Sequence, residues 1–566
     1  MAESKGTGLE KGLTNYGDPE FATYLRRSFA KSMGYSGEML RRPIIGIASS
    51  ASGFNNCHRL TPELVDAVKR GVLAAGGLPL EFPTISLGEV FLSPTSMVFR
   101  NLMSMDVEEM IRAQPMSGVV LVGGCDKTVP AQLMGAISAG VPAVQLVVGP
   151  MMTGRHHGER LGACTDCRRF WARYRAGDVT ASDISEVEYN LAVTAGTCAV
   201  MGTASTMACL VETLGMSLPG SAAIPAVHAD RLRIAEATGT QAVRLAAAGT
   251  TPKQIIDAHA IENALRMLLA IGGSTNGVIH LAAIAGRLGL QLDLRQLNAL
   301  SDSTPVLANL KPTGQHYMED FHAAGGVGAV LQELKPLLHL TARTVTGETL
   351  EERLSKGRAF VDRNVIRPLD DPFQRNGGLI ALFGNIAPNG SIVKCAAADE
   401  RLLEHTGRAV VFSDLDDLAA RIDDPALDVT AQDVLVLQNA GPIGAGMPEA
   451  GYLPIPAKLA RSGVKDMVRI SDARMSGTAF GTVVLHISPE SAVGGPLGLV
   501  RTGDRIRLSV KERRLDVLLS DRELDGRRQQ RQAPRATPTR GYARLYAESV
   551  LGAELGCDFG FLRDGG

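Results

Sequence analysis

Three apolar runs of strand length alternate with helical stretches in the first 150 residues, and this alternation constrains the fold more than any other feature. The runs are Pro43–Ala48, Gly118–Val122 and Ala143–Val148. One helix is predicted to start at Thr61-Pro62-Glu63, where a capping residue type, a proline and a first-turn acid follow one another. Leu64, Val65, Val68, Val72 and Leu73 then form an apolar stripe that stops at Gly76-Gly77. A second helix is predicted from about Val129 to Ser138, ending at Gly140. Strand, crossover helix and strand together specify an α/β fold with a parallel, doubly wound sheet. A helical region follows from about Ser182 to Met216, interrupted at Gly196, and helices predominate to about Leu338.

The last third changes character. Gly390–Lys394, Val434–Leu437, Val483–His486 and Arg505–Val510 read as short strands between Gly, Pro and Asp residues, and Arg505–Asp516 with Val517–Leu519 reads as an antiparallel hairpin. A domain boundary is expected near residues 370–380, dividing the chain into 1–375 and 376–566. A length of 566 residues accommodates two to four domains at ~150 residues each.

Composition narrows the function classes. Lys plus Arg number 58 and Asp plus Glu 59, a net charge of −1, which argues against a dedicated nucleic-acid binder. The opening residues lack an apolar signal core. The longest apolar stretch, about Gly140–Met152, is broken by Pro142, Gln145, Gly149 and Pro150 and falls short of the ~20 residues a membrane span needs. The expectation is a soluble, cytoplasmic protein with no membrane or nucleic-acid partner. Gly526–Arg540 carries five arginines and no acid and reads as a solvated loop. Glycines number 62 while aromatics are only 4%, a balance that favours backbone approaching a ligand over an aromatic cage. Eight cysteines in this length are no disulfide scaffold, so each is either a ligand or a buried filler.

Cys125 is the most informative cysteine. It follows an apolar strand and two glycines in GVVLVGGCDKT (118–128), with Asp126 and Lys127 directly behind it. Ligands of open α/β sheets bind beyond the carboxyl ends of the strands. A thiolate beside a carboxylate there points to two kinds of metal, because thiolates suit iron–sulfur or zinc and carboxylates suit magnesium, calcium or manganese. A buried cysteine next to an exposed charge pair fits the local sequence as well. Cys57, in SGFNNCHRL (52–60), and Cys198, in GTCAVMGTAST (196–206), also precede predicted helices, whose positive ends favour thiolates. The three lie 68 and 73 residues apart, so spacing alone does not make them a cluster. Cys164 and Cys167 form a C-x-x-C without the context of a zinc finger or a thioredoxin, and are expected to be structural. Glu89, in SLGEV, and Glu449, in GAGMPEA, are acids in glycine-rich loops, and Ser476 lies in the polar turn SDARMSGT (471–478). That turn is not a G-x-S-x-G elbow.

Taken together, these segments resemble the dihydroxy-acid and sugar-acid dehydratase family, which includes 6-phosphogluconate dehydratase. The resemblance spans nearly the whole chain. It rests on NNCHRL (55–60), GGCDKTVPAQLMG (123–135), GTCAVMGTASTM (196–207), GGSTNGVIHL (272–281), GNIAPNGSIVK (384–394), GPIGAGMPE (441–449), DARMSG (472–477), HISPE (486–490) and GGPLGLVRTGD (494–504). GACTDCRR (162–169) and DARMSG look most like the branch that dehydrates pentonates and hexonates. The resemblance implies an N-terminal α/β domain and a C-terminal β-barrel-like domain. It implies a [2Fe–2S] or [4Fe–4S] cluster on Cys57, Cys125 and Cys198, with one iron position open. It further implies Mg²⁺ on Glu89, Asp126 and Glu449 with Lys127, the lysine carried as a carbamate, and Ser476 as the base. The implied substrates are sugar acids such as L-arabinonate, D-xylonate or D-gluconate, and the implied assembly is a homodimer or homotetramer.

The chemistry calls for this equipment. Dehydrating a 2,3-dihydroxy acid removes a weakly acidic C2 proton and a poor leaving group, hydroxide, from C3; metal ions assist both. Dihydroxy-acid dehydratase of branched-chain amino-acid biosynthesis is the alternative within the class. An iron–sulfur electron-transfer or sensing protein would prefer four Cys ligands and has no use for Glu89, Asp126 and Glu449, and a nucleotide-binding reading lacks both G-x-G-x-x-G after the first strand and a Walker A motif.

Overall fold

The computed structural model describes residues 8–13, 16–357, 360–449, 453–530 and 538–564. Its first sheet comprises β1 (Ile44–Ser49), β2 (Leu78–Pro83), β3 (Gly118–Gly123) and β4 (Ala143–Val147), in the order β2-β1-β3-β4 and parallel throughout. β1 and β3 are buried at every residue, which is why they read as unbroken apolar runs rather than alternating ones. The predicted strands appear within a residue or two of their expected bounds. β2, which sequence reasoning missed, contains Pro79 and Pro83 and takes the sheet edge, where a missing N–H is tolerated.

Helices α1 (Thr61–Ala74), α2 (Ser96–Ala113) and α3 (Thr128–Ala139) connect these strands. Gly140, at φ 68°, ends α3 in the left-handed conformation that glycine adopts without strain. A short hairpin of β5 (Gly154–His156) and β6 (Glu159–Leu161) then leads into α4 (Thr165–Ala176), α5 (Ala181–Leu191), α6 (Thr203–Thr213) and α7 (Ala229–Ala248). α7 crosses α1 at backbone contact. A Cβ on Gly71 would lie 1.9 Å from the Glu236 carbonyl oxygen, and one on Gly239 2.2 Å from that of Val68.

The second sheet has eight strands among the described residues: β7 (Ile380–Leu382), β8 (Gly390–Val393), β9 (Glu404–Phe412), β10 (Val434–Leu437), β11 (Arg469–Ser471), β12 (Val483–Ser488), β13 (Arg505–Ser509) and β14 (Arg514–Val517). They run in the order β14-β13-β9-β10-β11-β12-β8-β7. Phe383, just beyond β7, bridges Arg514 at the other end of the order, so the sheet curls into a nearly closed barrel. Its core includes Val393, Val434, Val436, Ile470, Val484 and Leu508. The β13–β14 hairpin is antiparallel, as the sequence suggests, but β9, β10, β11 and β12 are mutually parallel. The arginine-rich segment begins differently from the expected loop. A helix spans Asp521–Gln529, and Arg527 is tied to Asp504 at 2.5 Å. Residues 531–537 lie outside the described residues.

Lys394 follows β8 and is buried, and its Nζ has no hydrogen-bond partner. Burial pulls its pKa down to about 7. Between that value and the ordinary lysine range near 10.5, the unfolded chain holds a proton that the folded chain does not. The penalty, on the order of a few kcal/mol, is therefore full below about pH 7 and gone above the ordinary lysine pKa. Lys394→Met should raise the melting temperature at about pH 7, with a gain that shrinks toward pH ~10. Thermal melts at both pH values check this; a pH-independent gain, or a loss, would contradict it.

Candidate active site

The loops beyond the carboxyl ends of β1, β2 and β3 meet through His58. Its Nε2 accepts from the Gly124 N–H at 2.9 Å, and its Nδ1 lies 2.8 Å from Ser86 Oγ and 3.1 Å from Asn55 Nδ2. Asn55 also caps the short turn Asn56–His58 by accepting from the Cys57 N–H. One buried imidazole thus fixes the Cys57 turn, the Gly124-Cys125 turn and the loop leading to Glu89. Sequence reasoning missed His58; its signal was the position directly behind Cys57. Cys125 itself sits at φ 62°, a costly conformation for a residue with a side chain.

Cys57 and burial together push the Cys125 thiol well up. The segment carrying Cys198 is pinned to the end of β4 by Thr197 N–H to Gly149 O (2.9 Å) and to the next loop by Ala199 N–H to Ala163 O (3.0 Å). That second bond delivers an unanticipated neighbour: Cys164 Sγ lies 3.2 Å from Cys198 Sγ. The C-x-x-C does open a helix, with Cys164 at the N-cap of α4 and Cys167 donating to the Cys164 carbonyl at 2.7 Å. All eight cysteines are free thiols.

The carboxylates converge next to the thiols. Carboxylate oxygens of Glu89, Asp126 and Glu449 lie within 4.8 Å of one another. Lys127, fully buried at the N-cap of α3, is paired with Asp126, lies 3.2 Å from Glu89 Oε2 and lies 3.6 Å from Glu449 Oε1. Arg474, also fully buried, reaches Glu449 at 2.6 Å, Glu89 at 2.9 Å and Thr95 Oγ1 at 2.8 Å. Burial alone would raise the Glu89 carboxyl, but Lys127 and Arg474 hold it well below the usual range. Glu449 goes the other way, because burial outweighs the pull of the same two cations. Lys127 is raised: burial and Arg474 oppose its charge, but the three carboxylates prevail.

Ser476 follows two residues after Arg474 and is buried. Its Oγ lies 2.8 Å from Thr478 Oγ1 and accepts from the Thr478 N–H at 3.4 Å. The loop is held from both sides. Asn276 donates to the Met475 carbonyl at 3.0 Å, and Thr165, beside Cys164, donates to the Thr478 carbonyl at 3.0 Å. Arg168 lies 3.5 Å from Thr478 Oγ1 and 4.0 Å from Glu449. The structure therefore joins Glu89, Asp126, Lys127 and Glu449 in one network, sets Cys198 against Cys164, and lays the Ser476 loop over α4 and α6.

The two donor sets suit different guests. The thiols are soft ligands fit for an iron–sulfur cluster, and the three carboxylates are hard ligands fit for Mg²⁺. An ammonium at Lys127 Nζ competes with a cation for the same oxygens.

Comparison with known proteins matches this architecture. Residues 42–353 match the dihydroxy-acid/6-phosphogluconate dehydratase N-terminal model, and residues 364–557 match the corresponding C-terminal model. The chain is 46% identical to L-arabonate dehydratase of Azospirillum brasilense, over 95% of this chain and 94% of the relative. It is 44% identical to 6-deoxy-6-sulfo-D-gluconate dehydratase of Pseudomonas putida, over 93% and 92%. It is 38% identical to dihydroxy-acid dehydratase of Syntrophobacter fumaroxidans, over 94% and 96%. A thiol set and a carboxylate set at the mouth of a parallel sheet, roofed by a barrel, thus accompany full-length similarity, and the chain belongs to the dihydroxy-acid/6-phosphogluconate dehydratase family.

Proposed function

We propose that this protein is a hydro-lyase that dehydrates 2,3-dihydroxy sugar acids, such as L-arabinonate, D-xylonate or D-gluconate, to 2-keto-3-deoxy acids. The observation that carries the proposal is the meeting of soft thiols and hard carboxylates beside one buried serine. The higher identity to relatives named for sugar acids, 44–46% against 38% for the dihydroxy-acid enzyme, favours a polyhydroxylated substrate.

Cys57, Cys125 and Cys198 would hold the cluster, a [2Fe–2S] or alternatively a [4Fe–4S] centre. Glu89, Asp126 and Glu449 hold Mg²⁺. When bound, cluster and Mg²⁺ supply Lewis acidity toward the departing 3-hydroxyl and toward the substrate carboxylate and 2-hydroxyl. Carbamylation of Lys127 Nζ by CO₂, with loss of two protons from the ammonium, would replace the competing cation with an oxygen ligand.

Ser476 removes the C2 proton. A serine hydroxyl is ordinarily too weak a base, but here its Oγ accepts from the Thr478 N–H and lies 2.8 Å from the Thr478 hydroxyl, which can donate to it once it is ionised. The fully buried Arg474 guanidinium nearby adds positive potential. Arg168 orients Thr478 and faces Glu449, so it lines the space where an acidic substrate enters. The enol left after water departs tautomerises to the 2-keto acid, and the reaction involves no net redox change.

Three outcomes are expected. Anaerobically purified protein should form 2-keto acid from L-arabinonate, D-xylonate or D-gluconate faster than from 2,3-dihydroxyisovalerate; the reverse ranking would favour the branched-chain reading. Chelation should abolish turnover while the visible cluster absorbance survives, and Mg²⁺ should restore it in wild type but not in Asp126→Ala. Ser476→Ala should lose ~10²–10⁴-fold in kcat and fail to exchange the C2 hydrogen with D₂O. Thr478→Val, which removes one donor, should lose roughly tenfold and keep exchange. Exchange at the wild-type rate in Ser476→Ala would assign the base elsewhere.

A further inference from the structure

Cys57 raises the Cys125 thiol, and Cys164 lies in direct contact with Cys198. Cys57 also raises the Cys198 thiol, after the larger effects of Cys164 and burial. Three of the four thiols serve the cluster in the reading above. The fourth is in direct contact with one of the three, 3.2 Å from Cys198 Sγ.

We propose that Cys164 is a fourth thiol ligand of the cluster site, occupying in the substrate-free enzyme the iron position that three cysteines leave open. This rests on the cluster reading of the proposed function. A fourth thiolate completes the four-cysteine coordination of a two-iron cluster. The position of Cys164 in the fold also explains how it yields. It caps α4, and its neighbour Thr165 donates to the Thr478 carbonyl at 3.0 Å. Arg168, one turn further, reaches Thr478 Oγ1 and Glu449. A substrate settling against Ser476 and the carboxylates therefore presses on the turn that carries Cys164. The exchange transfers no electron: the thiol gives up its proton on binding iron and recovers one on release. Closing the open position between turnovers keeps dioxygen and water from a labile iron.

The test uses full-length wild type, Cys164→Ser, Cys164→Ala and Cys167→Ser, each loaded anaerobically. Cys164 makes no side-chain cap bond to α4, so neither substitution removes one, and circular dichroism checks folding. Iron and sulfide per chain should match wild type in all variants. Both Cys164 variants should show altered visible and reduced-state EPR spectra and should bleach several-fold faster in air, while Cys167→Ser behaves as wild type. Adding L-arabinonate should shift the wild-type spectrum toward that of Cys164→Ser. Spectra and air lifetimes in the Cys164 variants identical to wild type would overturn the proposal, as would changes that follow Cys167 instead. Failure of the cluster reading itself is distinguishable, because wild type would then bind neither iron nor sulfide.

Discussion

The buried Arg474 guanidinium is the interaction on which the rest of the site depends. It leaves the barrel domain between β11 and β12 and ends on Glu89 and Thr95 of the α/β domain, while also holding Glu449. Three carboxylates and two fully buried cations then share one small volume. Each charge is tolerable there only because the others are present. Removing one partner of such a buried network typically costs ~3–5 kcal/mol, since the remaining charges stay desolvated. Docking of the two domains and the electrostatic balance of the site are consequently one event.

The scaffold beneath this network is rigid where the chemistry needs it. β1 and β3 are buried end to end, and His58 ties the loops beyond β1, β2 and β3 with hydrogen bonds of 2.8–3.0 Å. The strained Cys125 turn is held in place from that side. From the barrel side, the Ser476 loop presses Gly477 against Ser274 and the start of α6, where a Cβ would come within 2.6 Å of the Ser274 side chain. Thiols, carboxylates and serine therefore come from elements distant in the chain but share few degrees of freedom.

Much of this was legible in the sequence. β1, β3 and β4 are apolar runs stopped by glycine or proline, and such runs announce themselves. β2 did not, because its prolines argue against a strand unless the edge position is known. The parallel centre of the barrel was equally hidden, since short runs carry no record of their pairing. Cys125, Asp126 and Lys127 stood out because they end a strand together. Cys57 and Cys198 stood out as residues ahead of predicted helices, but only the motif resemblance grouped them with Cys125, their separations being set by tertiary structure. Cys164 was set aside because C-x-x-C was judged by local spacing, whereas its partner lies 34 residues away across a backbone bridge. Arg474 sat in plain view within DARMSG, but nothing local says that an arginine in a polar turn will be fully buried between domains.

The central claim is that a soft-metal site and a hard-cation site sit side by side around Ser476. Anomalous difference maps from crystals grown anaerobically with Mn²⁺ in place of Mg²⁺, measured at the iron and manganese edges, test it most directly. The account predicts iron density among Cys57, Cys125, Cys198 and Cys164, and manganese density among Glu89, Asp126 and Glu449. Iron absent from the thiols in protein that still turns over sugar acids, or manganese bound away from the three carboxylates, would contradict it.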